Sequence, residues 1–312
     1  SVAESLDTST QTSADASSTE ESSDNGAEES KDNNSQEESK DLEANYTKYT
    51  LDGDLTQHMI DMSRLNEGNK VRLANVIKKL KNGEEVTVGF IGGSITQGTS
   101  AGNELCYAKL TADWLQQTYS SAKVNYVNAG IGATGSYIGV HRVTTDLLSK
   151  NPDLAFVEFS VNDTTEFTER NKDSYDSLLR TIWKSSTNPA IITVATTQED
   201  GTSFQEQHAE IVKHYDLPMI SYRNTILDTI GHGDIVWKDI SDDNIHPNVP
   251  GHKIVSQLLQ AYISDVDKDV DNISGNESDF STPPTNASFE NGSLLTLAQA
   301  GDAVTMNGEF KT

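Results

Sequence analysis

The sequence predicts an α/β protein with a three-layer α/β/α fold around a flavodoxin-like, parallel, five-stranded sheet. Two observations favour this class: strand-like and helix-like segments alternate at short spacing, and several of the strand-like runs are apolar throughout. Strands buried on both faces have this uninterrupted apolar character, which is typical of a parallel sheet covered by helices. Five strands joined by short crossovers favour the strand order 2-1-3-4-5.

The expected strands are short, largely apolar runs, and the helices between them show apolar residues at three- and four-residue spacing. In "RLANVIKKLKNGEE", for example, Leu73, Val76, Ile77 and Leu80 share one helical face, and Gly83 follows as a stop. The expected strands are 86–91, "KVNYVNAG" (123–130), "DLAFVEFSVND" (153–163), "PAIITVATT" (189–197) and "LPMIS" (217–221). The other expected helices are 104–119, 137–150, 174–185, 204–216, 223–231 and 251–266.

The chain of 312 residues has a formal net charge of −25, and the charge is concentrated at the front. Residues 1–45 contain thirteen Asp or Glu, two Lys and no aromatic residue, so they are expected to form a disordered acidic tether. The acidic balance argues against nucleic acid and anionic membranes as partners. No apolar stretch approaches the roughly 20 residues that span a bilayer. The beginning at Ser1, without Met, and the long tether favour a secreted or surface-tethered protein whose leader has been removed.

The single cysteine, Cys106, excludes a disulfide within the chain and argues against a cysteine-based zinc site. We expect neither a metal nor a cofactor, and the oligomeric state is left open.

The folded domain is expected to span residues 46–264, followed by a polar linker at 265–286. Alternating aspartates in this linker, from Asp265 to Asp271, resemble the opening of a calcium loop but lack its central glycine and closing glutamate. Residues 287–312 carry two Asn-Gly turns between apolar runs, "ASFENGSLLTL" and "DAVTMNGEF", which indicate hairpins. They are interpreted as the start of a truncated β-rich domain, a candidate carbohydrate-binding module.

The stretch "VTVGFIGGSITQG" (86–98) ends a strand on two glycines and Ser94, and three interpretations compete. In the first, the glycines form a strand-to-helix turn and Ser94 or Thr96 caps the next helix. In the second, Gly93 to Ser100 form a phosphate loop, but Thr99 stands where that motif requires lysine. In the third, Ser94 is a nucleophile at the carboxyl end of a strand, where open α/β sheets place their sites.

The third interpretation depends on partners, and three other segments provide them at the same edge of the predicted sheet. The loop "NAGIGATGS" (128–136) offers backbone N–H groups, "SVND" places Asn162 after the third strand, and "DDNIHPNVPGH" (242–252) holds Asp243 three residues before His246. These groups suit ester hydrolysis: Ser94 as nucleophile, His246 as base and Asp243 as its orienter. Ser94 N–H, a backbone N–H of Gly132 or Ala133, and the Asn162 amide are the expected oxyanion donors.

These four blocks, "GGSITQG", "NAGIGA", "SVND" and "DNIHPNVPGH", resemble those of the SGNH (GDSL-type) hydrolases over residues 70–264. The similarity is to bacterial carbohydrate esterases with Gly-Gly-Ser-Ile-Thr in place of Gly-Asp-Ser-Leu, and it implies an esterase acting on acetylated polysaccharides. Two positions depart from the family pattern. Gly93 replaces the aspartate before the serine, and an ungapped match puts Ala133, not Gly132, on the oxyanion glycine.

Other interpretations remain open at this point. An α/β-hydrolase shares the order Ser…Asp…His, but the second glycine of G-x-S-x-G is absent here. The substrate could instead be a small acyl ester, a lipid or acetylated peptidoglycan, or the chain could be a non-catalytic carbohydrate-binding surface protein. Among nearby residues, Asp242 competes with Asp243, Asp163 is expected to cap the following helix, and Tyr137 is a candidate for stacking on a sugar. His141 and His252 are interpreted as structural or surface histidines.

Overall fold

A computed structural model describes residues 46–294, and a six-stranded sheet forms their centre. The strand order is β1-β6-β5-β4-β2-β3, with β1 antiparallel to β6 and the remaining pairs parallel. The strands are β1 (Arg64–Asn66), β2 (Glu85–Gly92), β3 (Lys123–Gly130), β4 (Leu154–Glu158), β5 (Ala190–Ala195) and β6 (Met219–Ser221).

The five parallel strands have the predicted order 2-1-3-4-5, so the flavodoxin-like topology is confirmed. The predicted strand number was wrong by one, because β1 adds an antiparallel strand at the edge. This strand has three half-buried residues, Arg-Leu-Asn, which is too short for an alternating pattern to be recognised.

Helices cover both faces of the sheet. The helices are α1 (Gln57–Ser63), α2 (Val71–Lys81), α3 (Ser94–Gln97), α4 (Tyr107–Thr118), α5 (Ser136–Asp146), α6 (Thr168–Trp183), α7 (Gln205–His214), α8 (Tyr222–Gly231), α9 (Trp237–Ile240) and α10 (Val249–Lys268). On one face, residues of α2, α4 and α10 pack in a cluster with Phe90 and Phe156, whose rings stack at 4.5 Å. On the other, α5, α6 and α7 pack against Ile91 and Val157. Neighbouring residues of one strand thus enter different cores, which explains the uninterrupted apolar runs.

The last helix runs to Lys268, four residues beyond the expected domain boundary. Asp265 forms ion pairs with Arg64 and Lys268, and Asp267 pairs with Lys81. These first aspartates of the supposed calcium loop are therefore helical and ion-paired, so the resemblance to a calcium-loop opening does not hold.

Residues 269–294 form no helix or strand, yet they pack against the domain. Phe280 is buried and stacks on Trp183 at 4.5 Å and on Tyr215 at 3.8 Å. Arg180 donates to the Phe280 carbonyl and pairs with Glu290. The expected linker is thus docked along α6.

Two sequence-based expectations fall on residues that the structure does not describe. The acidic tether at 1–45 lies outside the described residues, as does most of the expected β-rich domain, whose described part, 287–294, contains turns. Between residues 46 and 294, no helix is both long enough and apolar enough to cross a bilayer.

Candidate active site

The short helix α3, which begins at Ser94, packs directly on the ends of β2 and β3, and this contact explains the glycines at those two strand ends. A Cβ at Gly92 would lie 2.1 Å from Thr96 Oγ1, and one at Gly130 would lie 2.3 Å from the backbone nitrogen of Gln97. Only glycine allows so close an approach at these positions. The N-cap of α3 is Gly93 rather than Ser94, so the interpretation of Ser94 as a helix cap is wrong.

Ser94, His246 and Asp243 lie in one continuous hydrogen-bonded chain. Ser94 Oγ is 2.9 Å from His246 Nε2, and His246 Nδ1 is 2.8 Å from Asp243 Oδ2. The fold therefore brings together residues 152 positions apart in the sequence, with spacing suited to proton transfer from a hydroxyl to an imidazole.

Asp243 is fixed by its own loop. Its Oδ1 accepts hydrogen bonds from the N–H groups of Ile245 and His246, both at 2.7 Å. Partial burial raises the pKa of Asp243, but the hydrogen bonds from His246 and Ile245 outweigh it and lower the pKa to about 2. The carboxylate is therefore ionised wherever imidazole titrates, and it can orient and stabilise the charged ring.

Asp243→Asn should lower kcat for an aryl acetate by up to about 10⁴-fold, because the amide favours the wrong imidazole tautomer. Asp242→Asn is the matched control, since no side-chain bond joins Asp242 to His246 among the described contacts. Steady-state kinetics of both variants checks the assignment; a harmful Asp242→Asn beside a harmless Asp243→Asn would reverse it.

Asn162 lies against the backbone that precedes Ser94. A Cβ at Gly93 would stand 1.9 Å from Asn162 Oδ1 and 3.3 Å from Nδ2, so the amide occupies the space that a side chain at position 93 would need. The turn after β4 holds it there, with the Asn162 N–H donating to the Phe159 carbonyl. An aspartate at position 93, as in the family pattern, would therefore clash with the Asn162 amide in its present position.

The loop after β3 also lies beside Ser94. A Cβ at Gly132 would be 3.8 Å from Ser94 Cβ, and the Gly132 N–H donates to Gln97 Oε1 at 2.9 Å. Ala133 has φ of 58°, in the left-handed region that glycine usually occupies. Beneath the loop, the buried Arg142 donates to the carbonyls of Gly92 and Ala129 at the two strand ends. Sequence reasoning identified the loop but missed the roles of Gln97 and Arg142.

Asp163 stabilises a different helix from the one expected. Its Oδ1 accepts the N–H of Ser136 at the start of α5, and its Oδ2 is 2.9 Å from His208 Nε2. The expectation that it caps the following helix was therefore wrong.

His252 and His141, interpreted from the sequence as structural or surface histidines, make contacts within the protein. His252 is buried, its Nδ1 accepts the Tyr107 N–H, and burial lowers its pKa to about 4. His141 Nδ1 lies 2.6 Å from the Tyr137 carbonyl.

A buried glutamate in contact with α3 was not recognised from the sequence. Glu158 ends β4 with no exposed surface, and its carboxyl oxygens contact Thr196 Oγ1 at 2.8 Å and Thr96 Oγ1 at 3.2 Å. Thr96 Oγ1 also lies 2.8 Å from the hydroxyl of Tyr107. Burial raises the pKa of Glu158 to about 7, despite the hydrogen bonds from the two threonines. The signal for this site was a lone acidic residue inside the apolar run "DLAFVEFS".

Glu158→Gln should stabilise the protein at alkaline pH. The pKa of Glu158 is about 7 in the folded protein and 4.5 for the ordinary carboxyl. The folded state therefore has its full stability below about pH 4.5, where the carboxyl is neutral, and loses part of it as the pH rises from 4.5 through 7. The cost at pH 8.5 is on the order of 3 kcal/mol, which the neutral amide avoids. Thermal unfolding at pH 5 and 8.5 should show the variant gaining stability over wild type only at the higher pH; a gap independent of pH would contradict the assignment.

The described residues include one grouping with metal-ligand chemistry, His58, Asp228 and His232. Asp228 Oδ2 lies 2.7 Å from His58 Nε2 and 3.4 Å from His232 Nδ1. The same His232 nitrogen is 3.0 Å from the Asp228 carbonyl, so it serves as a hydrogen-bond donor. This geometry is that of a hydrogen-bonded His–Asp–His group, and it shares no residue with the Ser94 site.

Comparison with known proteins identifies the family of the chain. Residues 90–254 match the GDSL-like lipase/acylhydrolase family. Two crystal structures of a two-domain esterase active on acetylated mannans, one of them with mannopentaose, are 37% and 36% identical, with TM-scores of 0.71 and 0.68. Each match covers 74% of this chain, which spans only about three-fifths of that esterase (62% and 61%).

More distant similarity concerns the fold alone. A GDSL-like lipase from Parabacteroides merdae is 17% identical with a TM-score of 0.51, covering 58% of this chain and 96% of that one. Curated protein sequences gave no match. The family match spans more than half of the chain and includes Ser94, Asn162, Asp243 and His246, and the chain therefore belongs to the GDSL-like lipase/acylhydrolase family, the SGNH hydrolases.

Proposed function

We propose that the protein is a serine esterase that removes O-acetyl groups from polysaccharides, with Ser94, His246 and Asp243 as its catalytic triad. The observation that carries this proposal is the unbroken chain of hydrogen bonds from Asp243 through His246 to Ser94 Oγ. It is the arrangement by which an otherwise inert hydroxyl becomes a nucleophile.

The reaction follows from the positions of these atoms. Ser94 Oγ attacks the acetyl carbonyl while His246 Nε2 takes its proton. The imidazolium, stabilised by Asp243, then gives that proton to the departing sugar oxygen, leaving an acetyl group on Ser94. His246 next takes a proton from a water molecule, whose oxygen attacks the acetyl carbon. The bond from that carbon to Ser94 Oγ then breaks, His246 returns the proton to Oγ, and acetate leaves.

The oxyanion of each tetrahedral intermediate accepts hydrogen bonds from the Ser94 N–H, the Ala133 N–H and Asn162 Nδ2. Ala133 is chosen over Gly132 because Gln97 Oε1 already holds the Gly132 N–H. The left-handed backbone at Ala133 supports this choice, since such a residue turns successive N–H groups towards a common anion.

Acetylated mannan is the preferred substrate because the similar two-domain esterase acts on acetylated mannans at 37% identity. Small acyl esters, lipids and peptidoglycan acetyl groups are the competing substrates for the same chemistry. A non-catalytic carbohydrate-binding protein is disfavoured, since binding alone does not require an aligned triad. Action on polysaccharide suits a secreted or surface-tethered bacterial enzyme.

The test is acetate release from acetylated mannan, xylan and pectin, compared with a lipid ester and an acetylated peptidoglycan. Wild-type protein should release acetate from at least one plant polysaccharide and prefer mannan, and Ser94→Ala should release none. Hydrolysis confined to the lipid ester or the peptidoglycan would overturn the polysaccharide assignment while leaving the serine chemistry in place.

A further inference from the structure

A cavity lined by residues with polar side chains and one glycine opens beside α3 at the free edge of the sheet. It has a volume of about 260 Å³, and it is lined by Gln97, Asn103, Tyr126, Asn128 and Gly130. Small-molecule sites usually measure roughly 300–1,000 Å³, so this cavity suits a single ring rather than an oligomer. It lies at β3, which has no strand on its outer side within the described sheet.

The lining has the chemistry of a hydroxyl-binding site. It offers three side-chain amides and a phenol, none of them charged, and such groups both donate and accept hydrogen bonds, as sugar hydroxyls do. The Asn128 side chain is held by internal hydrogen bonds. Its Nδ2 donates to the Thr96 carbonyl and to Tyr126 Oη, and its Oδ1 accepts the Gly130 N–H. Burial raises the pKa of Tyr126, which keeps its phenol neutral. An anionic ligand would find no cation among the five lining residues.

Gln97 connects this cavity with the reaction centre. It is exposed and lines the cavity, yet its Oε1 accepts the N–H of Gly132, which lies beside Ser94. Because a backbone N–H can only donate, the accepting atom must be the amide oxygen. The remaining Nε2 is the group with which Gln97 can donate to a ligand. One side chain therefore supports the oxyanion loop and forms a wall of the cavity.

We propose that this cavity is a sugar subsite, which takes one pyranose ring of the acetylated polysaccharide while the ester lies at Ser94. Gln97 Nε2, the Asn103 amide and the Tyr126 hydroxyl recognise the ring hydroxyls. This inference rests on the proposed function and adds the residues that distinguish a polysaccharide from a simple acetate ester. Binding energy gained from the ring then orients the ester for attack.

The experiment compares kcat/KM for acetylated mannan with kcat/KM for an aryl acetate, which has no sugar ring. Asn103→Ala and Tyr126→Phe should each lower the ratio of mannan to aryl acetate by about tenfold, the effect of one hydrogen bond to substrate. Asn75→Ala is the matched control, because Asn75 is an exposed asparagine that lines a separate cavity beside α2. It should leave the ratio at the wild-type value.

Two substitutions of Gln97 separate its two contacts. Gln97→Glu keeps an acceptor for the Gly132 N–H but loses the donor, so the ratio should fall as in Asn103→Ala. Gln97→Leu loses both contacts and should reduce kcat on the aryl acetate as well, because the loop next to Ser94 is released.

The outcomes distinguish the subsite from the function on which it rests. If wild-type protein deacetylates mannan and the ratio stays unchanged in both Asn103→Ala and Tyr126→Phe, the subsite is overturned and the esterase stands. If wild-type protein cleaves the aryl acetate but no acetylated polysaccharide, the proposed function falls and the subsite falls with it.

Discussion

Ser94→Ala is expected to lower kcat for an aryl acetate by about 10⁵–10⁶-fold, as loss of the nucleophile does in other serine hydrolases. The substitution removes only a hydroxyl, whose described partner is His246 Nε2, so the fold should be unaffected. Steady-state kinetics measures the loss, and mass spectrometry should locate a serine-directed phosphonylating reagent on Ser94 of the wild-type protein. Ser121→Ala, at an exposed serine after α4, is the matched control and should retain wild-type turnover.

His246→Ala should be about as damaging, and the double variant should be no worse than either single one. In the proposed mechanism the serine is a poor nucleophile without the base, and the base has no proton to take without the serine. Losing the second residue therefore adds no further loss of rate. If the fold reduction in kcat of the double variant equalled the product of the two single reductions, the residues would act independently. Retained turnover in folded Ser94→Ala would exclude the serine mechanism.

Asn162→Ala is expected to reduce kcat by about 10²–10³-fold with a much smaller change in KM. The hydrogen bond from Nδ2 matures only when negative charge develops on the substrate oxygen, so its loss affects the transition state more than binding. Steady-state kinetics on an aryl acetate gives both parameters. Thermal unfolding of the same sample shows whether the contact of Asn162 with Gly93 also contributes to stability.

Asn162→Asp separates an oxyanion donor from a structural role. An ionised carboxylate of the same shape cannot donate and would repel the oxyanion, so this variant should be at least as impaired as Asn162→Ala. If Asn162 acted only through its shape or as a helix cap, aspartate would serve equally well. Near-normal kcat in folded Asn162→Asp would show that Asn162 does not donate to the oxyanion.

The parallel sheet was predictable because its central strands have an unmistakable composition. All six residues of β5 are buried and all five of β4, so both appear as continuous apolar runs. The strand β1 and the helices α1, α3 and α9 were not predicted. The elements β1, α3 and α9 have only three or four residues, too few to display a period, and the seven residues of α1 span barely two turns.

The positions of the candidate site residues were predictable as far as these residues follow strand ends. Ser94, the loop at 131–135 and Asn162 begin within four residues of the ends of parallel strands, whose carboxyl ends meet at one edge of the sheet. The contact of Gln97 with Gly132 could not be predicted, since it joins α3 to the loop after β3 through a side-chain conformation that sequence spacing does not reveal. The packing of 269–294 was hidden for a related reason. A polar composition predicts a linker, and only the fold reveals that Glu277 meets Arg72 and Phe280 meets Trp183.

The contact between Gly93 and Asn162 has an evolutionary consequence. Gly93→Asp, which would restore the usual family residue, would place its Cβ 1.9 Å from Asn162 Oδ1 unless the Asn162 side chain rotated or the loop after β4 moved. The effects of substitutions at these positions should therefore be strongly epistatic, each tolerated only against a matching partner. Exchange of one serine block for the other is therefore expected to require an accompanying change in the position of the Asn162 amide. The identity of residue 93 and the orientation of the Asn162 side chain are thus expected to vary together, as one heritable unit rather than two independent features.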